Sequence, residues 1–354
     1  TVGYLARIES LLRERHDRED LCLCDYFDMI AGTSTGAIIA TLLATGMETS
    51  EIRELYMRLG GKIFQKKRSW WKPWEIDDRV AAQFDSTPIE TELRKILGAR
   101  TLGSDVPDIR TGLCIVTKRG DSQSTWPLIN HPEGMFYEAN APIPLATAVR
   151  ASTAAPTYFV PELIDVGSGE AGAFVDGGVS MFNNPALQAL MVAWLDGFPF
   201  HWEQGEDRLL LVSIGTGFWS NTRGRKAVMG SKLWDWASLV PGMLMEDADW
   251  HNQLILQWLS NSPTSVEIDR ETGDLRSDRL GDRALLSYLR YNVELSQEGL
   301  EAIGLPDLAA RAEELHEMSR ADNRADLTTI GEAGAERHVR DEHFPPSFDL
   351  LASA

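Results

Sequence analysis

The chain has 354 residues, of which 43% are hydrophobic, 8% aromatic and 25% charged, the composition of a globular protein with a sizeable core rather than of a disordered one. Its 53 acidic side chains outnumber 34 basic ones and leave a net charge of −19, which makes a nucleic-acid polymer a poor partner. No apolar run reaches the roughly 18 residues of a bilayer-spanning helix, and the three cysteines, Cys22, Cys24 and Cys114, fall in no metal or redox spacing.

Residues 1–16 place Leu5, Ile8, Leu11 and Leu12 on one face among Arg7, Glu9, Arg13, Glu14 and Arg15, a spacing that predicts an amphipathic helix. Thr1 opens the chain without a methionine, a basic n-region or an apolar h-region, so no signal peptide is read and the protein is expected to continue upstream. Phe27-Asp28-Met29-Ile30-Ala31 predicts a short buried strand, residues 32–36 a tight turn, and residues 37–45 an apolar helix closed by Gly46. Further strands are expected at 112–117, 172–175 and 209–214, separated by helical or irregular stretches, as a mostly parallel, helix-covered sheet requires. Beyond residue 221 the texture turns helical, with Trp234, Trp236, Met243, Met245, Trp250, Leu254 and Trp258 scattered through it and an Ala, Leu and Glu-rich pattern over 296–322. No repeat or low-complexity linker divides the chain, so one domain is expected over 1–354, with a catalytic core over about 1–220 and a helical section over 221–354. Cys22 and Cys24 read as core fillers on one strand face, and three free thiols suit a reducing cytoplasm.

Gly32-Thr33-Ser34-Thr35-Gly36 matches G-x-S-x-G, in which a serine sits on a sharp strand-to-helix turn and the glycines let the backbone bend. The pattern is short enough to arise from composition alone. The apolar strand before it and the apolar helix after it are what the elbow geometry needs. A serine hydroxyl is a weak nucleophile until a base takes its proton. None of His16, His131, His201, His251, His316, His338 or His343 follows a clear strand end. The better candidate base is Asp176 in Ala173-Phe174-Val175-Asp176-Gly177-Gly178, a carboxylate at the carboxyl end of a buried strand, although Asp-Gly-Gly also reads as a plain turn.

Together these segments resemble the patatin-like phospholipase family, in which G-x-S-x-G and a distant D-G-G or D-G-A supply a Ser-Asp dyad without histidine. Ala151-Ser152-Thr153-Ala154-Ala155-Pro156, Asn183-Asn184-Pro185 and Ser213-Ile214-Gly215-Thr216-Gly217 resemble further family segments, in family order, over about residues 1–220. The resemblance implies an α/β fold, a three-layer sandwich with a mostly parallel central sheet and a helical C-terminal section. It also implies a lipid acyl hydrolase in which Ser34 attacks an acyl ester of a membrane phospholipid and Asp176, raised by partial desolvation, acts as base. Gly177 and Gly178 form the base turn. The family's glycine-rich D-G-G-G-x-R-G oxyanion loop is expected upstream of residue 1, outside this numbering. No metal or organic cofactor is implied. Some bacterial relatives are antiviral defence effectors switched on by cyclic nucleotides, so a cyclic nucleotide activator is a candidate partner and residues 221–260 a candidate lid. A catalytically silent lipid-surface or scaffold protein, and acyl transfer to an alcohol, are the alternative functions on the same fold.

Residues 55–74 carry Arg58, Lys62, Lys66, Lys67, Arg68 and Lys72 with no acid, interleaved with Trp70, Trp71 and Trp74. Cations beside interfacial tryptophans suit an anionic bilayer, which would put a cytoplasmic protein peripherally on the inner membrane when active. Equally open are a solvated loop face and tryptophans packed against the core or against another subunit of a homo-oligomer. Other motifs fail: Gly215-Thr216-Gly217 lacks a third glycine, Gly61-Lys62 is followed by Ile63, and His316-Glu317 has no histidine at 320.

Overall fold

The structure, a computed structural model, describes residues 1–63, 87–156, 158–167, 171–219, 225–268, 272–315 and 323–351. The chain divides into two compact units, residues 17–202 and residues 1–16 together with 203–354. Helix α1 (Val2–His16) buries Tyr4, Leu5, Ile8, Leu11 and Leu12, the face its sequence spacing defines. It and the strand at 210–214 cluster with the C-terminal residues, not with residues 17–202.

In the unit of residues 17–202 the elements are α2 (Leu23–Tyr26), β1 (Met29–Thr33), α3 (Thr35–Ala44), α4 (Thr49–Ile63), α5 (Thr87–Leu97), β2 (Gly112–Arg119), β3 (Thr125–Ile129), α6 (Tyr137–Asn140), α7 (Leu145–Ser152), β4 (Glu162–Asp165), β5 (Ala171–Asp176) and α8 (Ala186–Trp194). Strand β2 is the spine: Leu113, Cys114, Ile115 and Val116 are fully buried, which is why the sequence there is an unbroken apolar run. Cys114 and Val116 pack with Ile129 and Val192, and burial pushes the Cys114 thiol up to about 12, an inert filler. Cys22 and Cys24 are buried and form no disulfide among the described residues, but they start helix α2 and do not share a strand face. Helix α3 is buried along residues 37–44 and ends at Gly46, whose φ of 84° is the left-handed conformation that closes a helix.

The sheet is mixed, not mostly parallel as expected. β1 pairs with β2 in parallel, whereas β3 and β5 are antiparallel to β2, and β4 is antiparallel to β5. Five residues join β2 to β3 and five join β4 to β5, far short of a parallel crossover, so both pairs must fold back as hairpins. β3 overlaps β1 on residues 114–116 of β2 and β5 on residues 117–118, so β1 and β5 share the edge of β2 opposite β3. Running in opposite directions along that edge, they meet with their carboxyl ends at Val116 and Thr117.

The other unit holds β6 (Leu210–Ile214), α9 (Arg225–Met229), α10 (Leu233–Leu259), β7 (Ser260–Asn261), β8 (Leu286–Tyr291), α11 (Gln297–Ala302), α12 (Pro306–Ala309), α13 (Ala312–Leu315) and α14 (Arg324–His338). Its three strands, in the order β6-β8-β7, are all parallel. The helical pattern expected over 296–322 is broken by Gly304 and Pro306 into short helices, and residues 316–322 lie outside the described residues. Among the described residues no helix is long and apolar enough to cross a membrane.

Helices α1 and α14 approach through glycine. A Cβ on Gly3 would lie 2.6 Å from the Gly331 carbonyl carbon, while one on Gly331 would meet nothing within 4 Å. At the next residue of α1, the Tyr4 hydroxyl hydrogen-bonds His338 Nδ1 at 2.7 Å and its ring stacks on Tyr291. Gly3→Ala should therefore destabilise the protein by about 1–3 kcal/mol through overpacking, whereas Gly331→Ala should be neutral or stabilising by up to about 1 kcal/mol from helix propensity. Denaturant midpoints of the two variants check this; equal effects would show that the helices adjust freely.

Candidate active site

Ser34 is the one residue between β1, which ends at Thr33, and α3, which starts at Thr35. Its backbone, at φ 55° and ψ −126°, lies in a region costly for any residue with a Cβ. Gly32 is required for the reversal, because a Cβ there would lie 2.2 Å from the Gly36 carbonyl oxygen. Gly36 has a different use: nothing lies within 4 Å of where its Cβ would be, so it leaves the first turn of α3 uncovered.

The elbow is tied down on several sides. The Ser34 N–H donates to Ser152 Oγ at 2.9 Å, and Ser152, fully buried at the end of α7, donates to the Val116 carbonyl at 2.7 Å. Thr33 Oγ1 donates to the Phe182 carbonyl at 2.8 Å, and the Tyr56 hydroxyl donates to the Thr35 carbonyl at 2.9 Å. Three or four such bonds, at about 1 kcal/mol each, offset a backbone strain of about 1–3 kcal/mol.

Asp176 is the last residue of β5. Its N–H donates to the Ala154 carbonyl at 3.0 Å, its Oδ1 accepts the Gly178 N–H at 2.7 Å, and its Oδ2 accepts the Ser34 hydroxyl at 2.6 Å. The plain-turn reading of Asp-Gly-Gly matches the geometry, since the carboxylate caps the 3-10 turn of Gly177–Val179, while its second oxygen faces the serine. Gly177 is needed for contact: a Cβ there would lie 2.3 Å from the Val116 carbonyl oxygen and 3.0 Å from Thr33 Cγ2. Only 5% of Asp176 is exposed. Burial raises its pKa, against the opposing pull of the Ser34 and Gly178 hydrogen bonds and the positive charge of Arg150. Arg150 is itself buried, donates to the Val160 carbonyl at 2.9 Å and lies over the Phe159 ring.

Two groups around the elbow and Asp176 are not legible as such in the sequence. Ser152 lies in the quoted Ala151-Ser152-Thr153 segment, yet nothing local marks it as the acceptor for the Ser34 amide. Arg150 sits two residues earlier in α7 and reads in sequence as an ordinary helix cation. His131 does follow a strand, the unforeseen β3. That strand carries it past Ile129, which pairs with Cys114, toward the start of β2 and away from Val116, and it packs edge-on against Phe200. His338 and His343 hydrogen-bond Tyr4 and Tyr291 in the other unit. No histidine is among the hydrogen-bond partners of Ser34 or Asp176 within the described residues. Lys66, Lys67, Arg68, Trp70, Trp71 and Trp74 lie in 64–86, outside the described residues.

A family model described as patatin-like phospholipase matches residues 1–190. A cGAMP-activated phospholipase of Escherichia coli is 28% identical over 218 residues, covering 61% of this chain and 58% of that protein. A cGAMP-activated phospholipase of Vibrio cholerae is 28% identical over 221 residues, with 61% and 60% covered. The chain thus matches about three fifths of the length of these two relatives. A cUMP-AMP-activated phospholipase of Escherichia coli is 24% identical over 323 residues, 88% of each chain.

Two stability experiments read this geometry without reference to activity. Glycine adopts the Ser34 backbone conformation without strain, so Ser34→Gly should be more stable than Ser34→Ala by about 1 kcal/mol in chemical denaturation; the reverse order would show an unstrained elbow. Because folding raises the Asp176 pKa, its contribution to stability is fully present below the unfolded carboxylate pKa of about 3.9 and is lost as pH rises through the folded value. Asp176→Asn keeps an acceptor for Gly178 and a polar partner for Ser34, so it should exceed the parent in stability at pH 7 and match it near pH 4. A constant difference across that range would mean the carboxylate is not desolvated.

Proposed function

From the chain's membership of the patatin-like phospholipase family, we propose that it is a lipid acyl hydrolase acting on membrane phospholipids, with Ser34 as nucleophile and Asp176 as the one general base. A single observation carries the reading: a half-buried serine on an elbow gives its proton in a 2.6 Å hydrogen bond to a buried carboxylate. As Ser34 Oγ attacks the ester carbonyl carbon, its proton passes to Asp176 Oδ2. The tetrahedral oxyanion forms next to the amino end of α3, whose partial positive charge favours it, with the glycine-rich loop expected upstream of residue 1 supplying its N–H donors. It collapses with cleavage of the ester bond, and the departing glycerol-side oxygen takes the proton from Asp176. Water then gives a proton to Asp176 and attacks the acyl-serine, and collapse returns that proton to Ser34 and frees the fatty acid. Burial serves this cycle because a carboxylate whose pKa is raised is a stronger base and a proton placed on it is less costly.

Both side chains belong to the unit of residues 17–202, to which the chemistry is assigned. The names of the relatives support a second part of the reading, that hydrolysis is switched on by a cyclic nucleotide. An ungated phospholipase would damage the membrane of its own cell, so a gate suits a protein of antiviral defence that meets the inner membrane peripherally when active.

The test is fatty-acid release from phospholipid vesicles, with and without cGAMP or cUMP-AMP. Ser34→Ala and Asp176→Ala should each fold and lose about 10³-fold or more of the activity, and a fluorophosphonate should label the parent on Ser34. Asp176→Ala retaining more than a tenth of parental hydrolysis would remove the aspartate as base, and failure of labelling would favour the silent scaffold.

A further inference from the structure

Much of the first half of α10 is exposed, with Trp236 and Leu239 half-buried along one face. Trp234 is 83% exposed, Leu233 77% and Leu244 62%, and Met229 just before the helix is 81% exposed. Residues 240–245, Val-Pro-Gly-Met-Leu-Met, are all exposed; six consecutive positions wind about 1.7 times around a helix. After them the helix becomes fully buried along one face, with Ala248, Asn252, Gln253 and Leu256 buried. Residues 225–245 carry Arg225, Lys226 and Lys232 against a single acid, Asp235, which is engaged in accepting the Lys232 N–H at 2.7 Å. In a chain of charge −19 this segment is net cationic, with the acids Glu246, Asp247 and Asp249 following only after it.

A protein partner covers one stripe of a helix, roughly 100° wide, and would leave the other apolar faces in water. A fluid apolar medium covers them all. Thirteen residues, 233–245, reach about 20 Å as a helix, short of the roughly 30 Å hydrocarbon core, which suits lying in the interface rather than crossing it. Trp234 beside Lys232 has the amphipathic character of the headgroup level. We propose that residues 228–245 form a membrane-docking element that sinks into an anionic bilayer surface, guided by Arg225, Lys226 and Lys232. Its choice of occupant rests on the lipid-hydrolase reading; its geometry does not.

The test uses the full chain with Ser34→Ala, so that vesicles stay intact, and measures co-sedimentation with vesicles of equal phosphatidylcholine and phosphatidylglycerol. Adding Trp234→Asp and Leu244→Asp should lower the partition coefficient about 100-fold, with an unchanged circular dichroism spectrum because both side chains are in water. Arg225→Glu with Lys226→Glu should weaken binding at low salt and have little effect in 0.5 M salt, where screening is nearly complete. In the Ser34 parent, the Trp234 and Leu244 pair should leave hydrolysis of a soluble short-chain ester unchanged. Vesicle binding that survives the double substitution overturns the proposal, as does a fall in solution mass that reveals a second copy of the chain as the occupant. If neither protein hydrolyses the soluble ester but the double substitution still abolishes vesicle binding, the docking element stands and the hydrolase reading falls.

Discussion

Strands β1 and β5 occupy one edge of β2 and run toward each other along it, so that their carboxyl ends close on neighbouring residues, Val116 and Thr117. The residue after one end is Ser34 and the last residue of the other is Asp176, and the 2.6 Å bond between them follows from this abutment. A parallel β5 would bring its amino end to the same place and send Asp176 away. The junction is crowded to the limit: the Val116 carbonyl oxygen receives the Ser152 hydroxyl and lies 2.3 Å from where a Cβ on Gly177 would be. The glycine after the aspartate is therefore a condition of the two strands meeting, before it is anything to do with a turn.

Holding that junction requires a backbone that opposes itself. Ser34 at positive φ is strained, and a buried Asp176 is desolvated, two features that lower stability where they sit. The surrounding structure supplies the compensation. The buried stretch of β2 at residues 113–117 and a helix buried along residues 37–44 support the elbow, and Ser152 gives its amide a fixed partner. The strain and the desolvation are useful to the proposed chemistry for the same reason they are costly: one presents the hydroxyl, the other strengthens the base.

What the amino-acid order reveals depends on whether a contact is local. The elbow was legible because strand, turn and helix are contiguous and each has its own pattern: an apolar run, two glycines and an apolar helix closed by Gly46. Asp176 was legible as a strand-end carboxylate, and its pairing with Ser34 through the order of family segments, not through any local signal. Strands β3 and β4 escaped because Pro127 interrupts one and the other is four residues with acids at both ends. Without them the two hairpins were invisible, and with the hairpins went the mixed character of the sheet. Ser152 lay 118 residues from the amide it receives, a distance at which periodicity carries no information. The apolar pattern after residue 221 was read as helix, correctly, but a core helix and one standing in water share the same periodicity; exposure decides between them.

That no imidazole hydrogen-bonds Ser34 or Asp176 among the described residues fits their packing. A histidine between serine and carboxylate needs space for a ring and a third group to orient it, whereas here the carboxylate is already 2.6 Å from the hydroxyl and is itself oriented by the Gly178 amide. Gly178 thus does for Asp176 what a buried carboxylate does for a catalytic histidine. The cost of using an acid whose ordinary pKa is about 3.9 as a base is a weak pull on the proton, and desolvation is the remedy the fold has available. Any substitution that lets water reach Asp176 would return its pKa toward the ordinary range, so in the proposed chemistry the tight walls around Asp176 serve the base and not only the scaffold.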